Sequence, residues 1–260
     1  MSDGVRIERR GAVMTVILDR PKANAINGAT SRALGAAFIE YRDDPELRAA
    51  IVTAAGERFF SAGWDLNSAE GESVEVDNGP GGFAGLTELF DLHKPVIAAV
   101  NGMAAGGGFE LALSCDLIVA AEHAEFFLPE VNIGIAPDAG GAIRLPRRIS
   151  YHVAIEMMLS GRRMSAVEAE RWGLVNRVVA KSDLIGEANA LADEIASKAP
   201  LAVAAIKEIA TSTAALSEQA AFELLRSGKL EHYERMLQSE DALEGARAFN
   251  EKRPPVWRGR

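Results

Sequence analysis

Asn101-Gly-Met-Ala-Ala-Gly-Gly-Gly-Phe-Glu-Leu-Ala-Leu-Ser-Cys-Asp116 is the stretch around which the rest of the chain is organised. It follows an apolar run of strand length at residues 94–100, so the glycines at 106–108 are predicted where a strand gives way to a helix. A helix N-terminus leaves backbone N–H groups unpaired, and glycine lets another molecule approach them closely. Because Glu110 lies within a turn of these groups, the stretch predicts stabilisation of negative charge beside proton transfer.

Composition limits the class of protein. The 260 residues suffice for one large domain, or for a domain with an appendage. A formal net charge of −9 argues against the broad basic surface that nucleic-acid binding requires. The single cysteine, Cys115, excludes an intramolecular disulfide framework and fits a cytoplasmic location. The most apolar region, residues 96–121, is interrupted by polar and acidic residues, so no membrane span is expected.

Predicted strands alternate with helices over residues 1–180, and the remainder, residues 181–260, is predicted to be helical, which indicates an α/β core with an all-α appendage. Asn27 is the predicted N-cap of the first helix, and a polar, acidic segment at 68–82 is predicted to be mobile. Whether the C-terminal helices pack on their own core or on a neighbouring chain stays open. The predicted strands are 5–10, 13–18, 49–53, 94–100, 116–121, 125–128 and 173–179; the predicted helices are 29–41, 83–92, 150–159, 165–171, 188–198, 202–211, 217–237 and 241–250, with a loop at 133–142 and an extended tail at 252–260.

Three loop segments carry candidate chemistry, and each hangs on a predicted core strand, where ligand contacts are common. They are Phe59-Phe-Ser-Ala-Gly-Trp-Asp-Leu66, the glycine turn at 106–110, and residues 127–141. Taken singly, each has an ordinary structural explanation: glycine turns serve packing, Glu110 suits a helix N-terminus, and Glu130 suits a solvated loop. The four histidines, His93, His123, His152 and His232, show no metal-ligand spacing, so no metal site is predicted.

In this order and spacing, the three segments resemble the crotonase family, the enoyl-CoA hydratase/isomerase superfamily, over essentially the whole chain. The resemblance implies a crotonase-like ββα spiral core with the active site in residues 1–180. It also implies a C-terminal all-helical trimerisation region in residues 181–260, with assembly as a homotrimer or as a hexamer of paired trimers. The implied reaction is the reversible hydration of an α,β-unsaturated acyl-CoA thioester. No metal or separate cofactor is implied, because coenzyme A is part of the substrate.

The resemblance also assigns roles to individual residues. The backbone amides of Trp64 and Gly107 would form the oxyanion hole, Glu110 would activate water, and Glu130 would deliver a proton to Cα. Coenzyme A would lie against two short segments that contribute Lys22, Ala23, Ala25, Ala62, Asp65 and Leu66. The first of these segments, Arg20-Pro-Lys-Ala-Asn-Ala25, is one residue shorter than is usual in the family.

Trp64 narrows the expected substrate, because most members of the family have a small residue at this position. Together with residues 79–88 and the terminal Pro255-Val-Trp-Arg-Gly-Arg260, it resembles members that interconvert crotonobetainyl-CoA and carnitinyl-CoA. A trimethylammonium group is bound by aromatic faces or by an acidic side chain. The aromatic candidates are Trp64, Phe83 and Phe90, and the acidic candidate is Glu88. The alternatives are a general short-chain enoyl-CoA hydratase, an isomerase that uses one glutamate, and a non-catalytic CoA-ester-binding or RNA-binding member.

Overall fold

The computed structural model describes residues 3–67 and 77–260. Most of the segment predicted to be mobile, residues 68–76, therefore lies outside the described residues. Within the described part, ten strands and ten helices follow one another along the chain. The strands are β1 (Val5–Arg10), β2 (Val13–Leu18), β3 (Ala49–Ala54), β4 (Phe59–Ser61), β5 (Val96–Val100), β6 (Met103–Ala105), β7 (Leu117–Ala121), β8 (Glu125–Phe127), β9 (Met164–Ser165) and β10 (Arg177–Val179).

The helices fall into two groups, one interleaved with the strands and one after the last strand. They are α1 (Gly28–Asp43), α2 (Gly107–Ser114), α3 (Gly141–Arg148), α4 (Tyr151–Ser160), α5 (Ala166–Arg171), α6 (Leu184–Ala196), α7 (Pro200–Thr213), α8 (Glu218–Leu225), α9 (Glu231–Leu237) and α10 (Glu240–Glu251). The predicted change from a mixed to a helical chain near residue 181 is confirmed in the element order. None of the helices in the described ranges is long and apolar enough to cross a bilayer.

Two sheets form the core. The larger sheet has the order β1-β2-β3-β5-β7-β10, in which β1 and β2 are antiparallel and the remaining neighbours are parallel. The smaller sheet has the order β4-β6-β8-β9. The parallel strands of the larger sheet are apolar on both faces, as β3 shows: Val52 faces the main core, and Ile51 faces α6 through a second cluster with Leu184 and Ala188.

The smaller sheet corrects the sequence-based prediction at the glycine turn. The strand that leads directly into Gly106 is β6 and not β5, since β5 ends at Val100. β6 pairs with β4 on one side and with β8 on the other. The three candidate loops begin at the C-terminal ends of these parallel strands, because β4 precedes Trp64, β6 precedes Gly107 and β8 precedes Glu130. The smaller sheet therefore brings the three loops to one edge.

Three further predictions differ from the structure. The helix predicted at residues 83–92 is only a 3₁₀ turn, Phe83–Gly85, in which Ala84 has a φ of 54°. Gly85 packs directly on α1, where a Cβ atom would lie 2.0 Å from Gly35 N. The loop predicted at 133–142 gives way to α3 at Gly141, and the long helix predicted at 217–237 is interrupted by Gly228 with a φ of 72°.

The capping prediction for α1 is confirmed: the Asn27 side chain accepts a hydrogen bond from Thr30 N at 2.9 Å. The C-terminal helices contact their own core at several points, which bears on the question that the sequence left open. Lys207 of α7 bonds Asp116 at 2.7 Å, and Arg48 donates to Trp257 O at 3.2 Å. Parts of α7 and of the extended tail therefore pack on the core of the same chain.

Candidate active site

Two unpaired backbone N–H groups lie close together, one in the loop that carries Trp64 and one at the start of α2. Gly107 is the first residue of α2, and a Cβ atom built on Gly63 would lie only 2.6 Å from Gly107 N. The loop that carries Trp64 therefore touches the N-terminus of α2 directly. Among the hydrogen bonds of the described residues, neither Trp64 N–H nor Gly107 N–H appears as a donor. Free amides at a helix start and in the loop against it favour an anionic oxygen.

The Trp64 loop is fixed by hydrogen bonds on both sides of that free amide. Gly63 N donates to the buried Ser61 hydroxyl at 3.0 Å, and Ile26 N donates to Gly63 O at 2.7 Å. On the other side, Asp65 N donates to Ile26 O at 2.9 Å. The pattern is that of an isolated parallel bridge between Ile26 and Trp64, which leaves the Trp64 N–H outside the ladder.

Glycine is required at the turn because the surrounding atoms approach the backbone closely. A Cβ atom at Gly107 would lie 2.3 Å from a ring carbon of Phe83, and one at Gly106 would lie 2.9 Å from the Glu130 carboxyl oxygen Oε1. The packing explanation and the functional explanation of this turn are therefore compatible. Phe83 covers the start of α2, and Glu130 lies against Gly106.

Glu110 is a buried acid in the first turn of α2, with 3% of its surface exposed. Its Oε1 accepts a hydrogen bond from Gly141 N at 2.7 Å. Burial raises the pKa of Glu110 to about 7, while the Gly141 hydrogen bond lowers it; a charge on Glu130 raises this pKa further only while Glu130 is ionised. The carboxyl group can therefore gain or lose a proton near neutral pH.

Glu130 is the second buried acid, at the start of the 3₁₀ turn Glu130–Ile133. Its Oε2 is buried and has no hydrogen-bond partner among the described residues. Burial raises the pKa of Glu130, partly opposed by a hydrogen bond from its own backbone amide. A partnerless buried carboxyl oxygen is costly when charged, so the environment favours the protonated acid. Glu130 is therefore buried, so its ordinary structural explanation as a solvated loop acid is wrong.

Arg144 on α3 was not identified from the sequence. Its guanidinium donates to Ala139 O at 3.4 Å and to Thr87 O, so it links the loop before Gly141 to the segment after Phe83. Its charge also lowers the pKa of Glu110. No motif or spacing marks Arg144, and the residue that it supports, Gly141, is recognisable only from its contact with Glu110.

The two segments expected to hold coenzyme A are hydrogen-bonded to each other. Ala62 N donates to Ala23 O at 2.9 Å, and Arg20 joins the segments by an ion pair to Asp65 at 2.6 Å and a hydrogen bond to Ala25 O at 2.8 Å. The structure thus brings together the six residues predicted there. Lys22 and Leu66 are exposed, Ala23, Ala25 and Ala62 are half-buried, and Asp65 is buried.

Comparison with known proteins shows the family to which the chain belongs. Residues 8–260 match the model of the enoyl-CoA hydratase/isomerase family. The chain is 58% identical, over the full length of both proteins, to proteins named carnitinyl-CoA dehydratase from Salmonella typhi and from Salmonella choleraesuis (strain SC-B67).

The chain is also similar to solved structures of members of this family. An enoyl-CoA hydratase from Mycobacterium tuberculosis H37Rv is 40% identical, with a TM-score of 0.90 and 99% of each chain covered. A carnitinyl-CoA hydratase from Mycobacterium avium is 43% identical, with a TM-score of 0.78 and both chains fully covered. The buried acids and the free amides of the candidate site thus occur in a chain that belongs to the enoyl-CoA hydratase/isomerase family.

Proposed function

We propose that this chain interconverts crotonobetainyl-CoA and carnitinyl-CoA by reversible hydration of the α,β double bond. The observation that carries the proposal is the pair of buried glutamates, Glu110 and Glu130, beside the free amides of Trp64 and Gly107. Family membership supports hydration of an enoyl-CoA thioester. The relatives named carnitinyl-CoA dehydratase and carnitinyl-CoA hydratase support the choice of acyl group.

The free amides stabilise the negative charge that the reaction creates. Addition of water at Cβ turns the thioester into an enolate, with the charge on the carbonyl oxygen. The N–H groups of Trp64 and Gly107 donate to that oxygen, and each such donor stabilises the transition state by about 3 kcal/mol. Ser61 supports this role because its hydroxyl fixes the peptide group next to Trp64.

The two glutamates divide the proton transfers. Glu110 takes a proton from water as the hydroxyl oxygen bonds to Cβ, and the protonated Glu130 gives its proton to Cα of the enolate. The hydrogen bond from Gly141 N favours the ionised form of Glu110, whereas the partnerless oxygen of Glu130 favours the acid. Dehydration runs the same steps backwards. The proposed chemistry uses neither a metal ion nor a redox cofactor.

The acyl group carries a trimethylammonium cation, which requires a partly desolvated aromatic surface. Trp64 belongs to the loop that holds one amide donor, and the Phe83 ring lies against Gly107, which holds the other. The Phe83 ring therefore lies next to the proposed reaction centre, and we assign Trp64 to the same pocket because its backbone amide belongs to the proposed oxyanion hole. Phe90 is 78% exposed, so it is a weaker candidate for a desolvated cation pocket.

Binding of coenzyme A is assigned to the exposed strip formed by the two hydrogen-bonded segments. The assigned residues are Lys22, Ala23, Ala25, Ala62, Asp65 and Leu66. Asp65 is already paired with Arg20, so its contribution is to hold the strip together. We further propose that the enzyme works in the cytoplasm as a homotrimer or a hexamer, in which residues 181–260 make the subunit contacts.

A substrate panel tests the proposal. The purified enzyme is assayed with crotonobetainyl-CoA, crotonyl-CoA and a longer enoyl-CoA by loss of the enoyl thioester absorbance. We expect kcat/KM to be highest for crotonobetainyl-CoA. A higher kcat/KM for crotonyl-CoA would instead identify a general short-chain hydratase, and double-bond migration without hydration would identify an isomerase.

A further inference from the structure

A second cluster of potential ligands lies outside the candidate active site. His93 precedes β5, Glu208 lies on α7 and His232 lies on α9, and their ligand atoms are all within 4.8 Å of one another. The two imidazole rings are tilted against each other with centroids 4.4 Å apart. The cluster therefore joins three separate parts of the chain, two of which belong to the C-terminal helices.

One buried nitrogen atom of the cluster has no hydrogen-bond partner among the described residues. This atom is His93 Nδ1, and the lack of a partner is costly for a buried polar atom. An imidazole nitrogen that has no hydrogen-bond partner can offer its lone pair to a metal ion.

The carboxylate is buried and oriented. Glu208 is 6% exposed, and its Oε2 accepts a hydrogen bond from Tyr233 N at 2.9 Å. A backbone N–H that bonds a ligating carboxylate in this way fixes the orientation of that carboxylate. The neighbouring cation, Lys207, is neutralised by Asp116 at 2.7 Å, so it competes little for Glu208. The cluster thus supplies two imidazole nitrogens and one carboxylate oxygen as possible ligands.

This donor set suits zinc. Zn²⁺ is bound by histidine nitrogens and carboxylate oxygens about 2.0–2.2 Å from the ion, so the ligand atoms of a tetrahedral site are roughly 3.3 Å apart. The ligand atoms of the cluster lie within 4.8 Å of one another, so zinc binding requires the three side chains to move closer together. His93 and His232 also line a cavity of about 320 Å³, which has room for a water as fourth ligand.

We propose that His93, Glu208 and His232 bind one Zn²⁺ per chain, which fastens α7 and α9 to the segment before β5. The site is separate from the proposed hydration chemistry and does not depend on it. Its expected effect is greater stability of the contact between the helical region and the core, because an ion that binds only the folded state stabilises it.

The test is zinc binding by the full-length protein in its native assembly. Chelator-treated protein is titrated with ZnCl₂ by calorimetry, and bound zinc is counted by elemental analysis after gel filtration. MgCl₂ serves as a second titrant, because Mg²⁺ prefers oxygen ligands. We expect one Zn²⁺ per chain, a higher melting temperature with zinc, and no comparable binding of Mg²⁺.

The variants are His232→Ala and Glu208→Gln, the second of which keeps an acceptor for Tyr233 N. Each is expected to weaken zinc binding at least about 100-fold and to abolish the thermal shift. His152→Ala, an exposed histidine away from the cluster, is the matched control and is expected to bind like the wild type. Equal melting temperatures with chelator show that the variants fold. Absence of zinc binding by the wild type, or equal binding by the His232→Ala and wild-type proteins, would overturn the proposal.

Discussion

Replacement of Glu110 by glutamine should stabilise the protein at alkaline pH relative to the wild type while it lowers kcat by about 10²–10⁴-fold. The pKa of Glu110 is raised from 4.5 to about 7 in the folded protein, chiefly by burial. A carboxyl group with a raised pKa stabilises the fold only while it is protonated. That contribution is complete below the unfolded pKa and is lost as the pH rises through the folded pKa.

The magnitude follows from the two pKa values. One pKa unit corresponds to 1.36 kcal/mol, so the full loss is about 3 kcal/mol once the pH exceeds the folded pKa. Between about pH 5 and about pH 8, the linkage relation gives a loss of roughly 2.5 kcal/mol for Glu110 alone. Glutamine has no such titration, and its amide oxygen can still accept the hydrogen bond from Gly141 N.

The assay compares urea unfolding of the wild type and of Glu110→Gln, followed by circular dichroism at both pH values and at one protein concentration. We expect the stability of the variant relative to the wild type to rise by roughly 2.5 kcal/mol from about pH 5 to about pH 8. Glu122→Gln, at an exposed glutamate, is the control and should show no such rise. A stability difference between Glu110→Gln and wild type that does not change with pH would refute the reasoning.

Two further substitutions test the loop that holds Trp64. Trp64→Ala should lower kcat/KM for carnitinyl-CoA roughly 30-fold more than for 3-hydroxybutyryl-CoA, since a desolvated cation–π contact contributes about 2 kcal/mol. Equal losses of kcat/KM for the two substrates would show that Trp64 does not recognise the cation. Phe90→Ala is the control. Ser61→Ala removes the hydroxyl that bonds Gly63 N, so we expect about 1–3 kcal/mol lower unfolding free energy and about tenfold lower kcat. An unchanged kcat in Ser61→Ala would contradict the positioning role.

The parts of the fold that the sequence predicts well are those with long apolar periods or a capping residue. The hairpin of β1 and β2 was predicted at its observed bounds, and α1 begins next to the predicted cap Asn27. The second sheet was missed as a sheet because strands such as β4 and β6 have only three residues, too few for an alternating pattern. The helix predicted at 83–92 failed because Gly85 must pack against Gly35.

The sequence predicts those residues of the candidate site that belong to local motifs. Glu110, Glu130, Trp64 and Gly107 could be named because each lies in a recognisable loop. The partners that set their properties could not be named, since Gly141 bonds Glu110 only through the fold. The same holds for the cluster of His93, Glu208 and His232, whose members are far apart in the sequence and meet only when α7 and α9 pack together.

If Glu110 and Glu130 act together in hydration, the turnover of their single and double glutamine variants will reveal it. Hydration of crotonobetainyl-CoA is measured for Glu110→Gln, Glu130→Gln and the double variant, with circular dichroism to verify folding. We expect each single variant to lose about 10²–10⁴-fold in kcat, and the double variant to be little worse than either, because the two groups act as a unit. Unchanged turnover in Glu130→Gln would contradict the account.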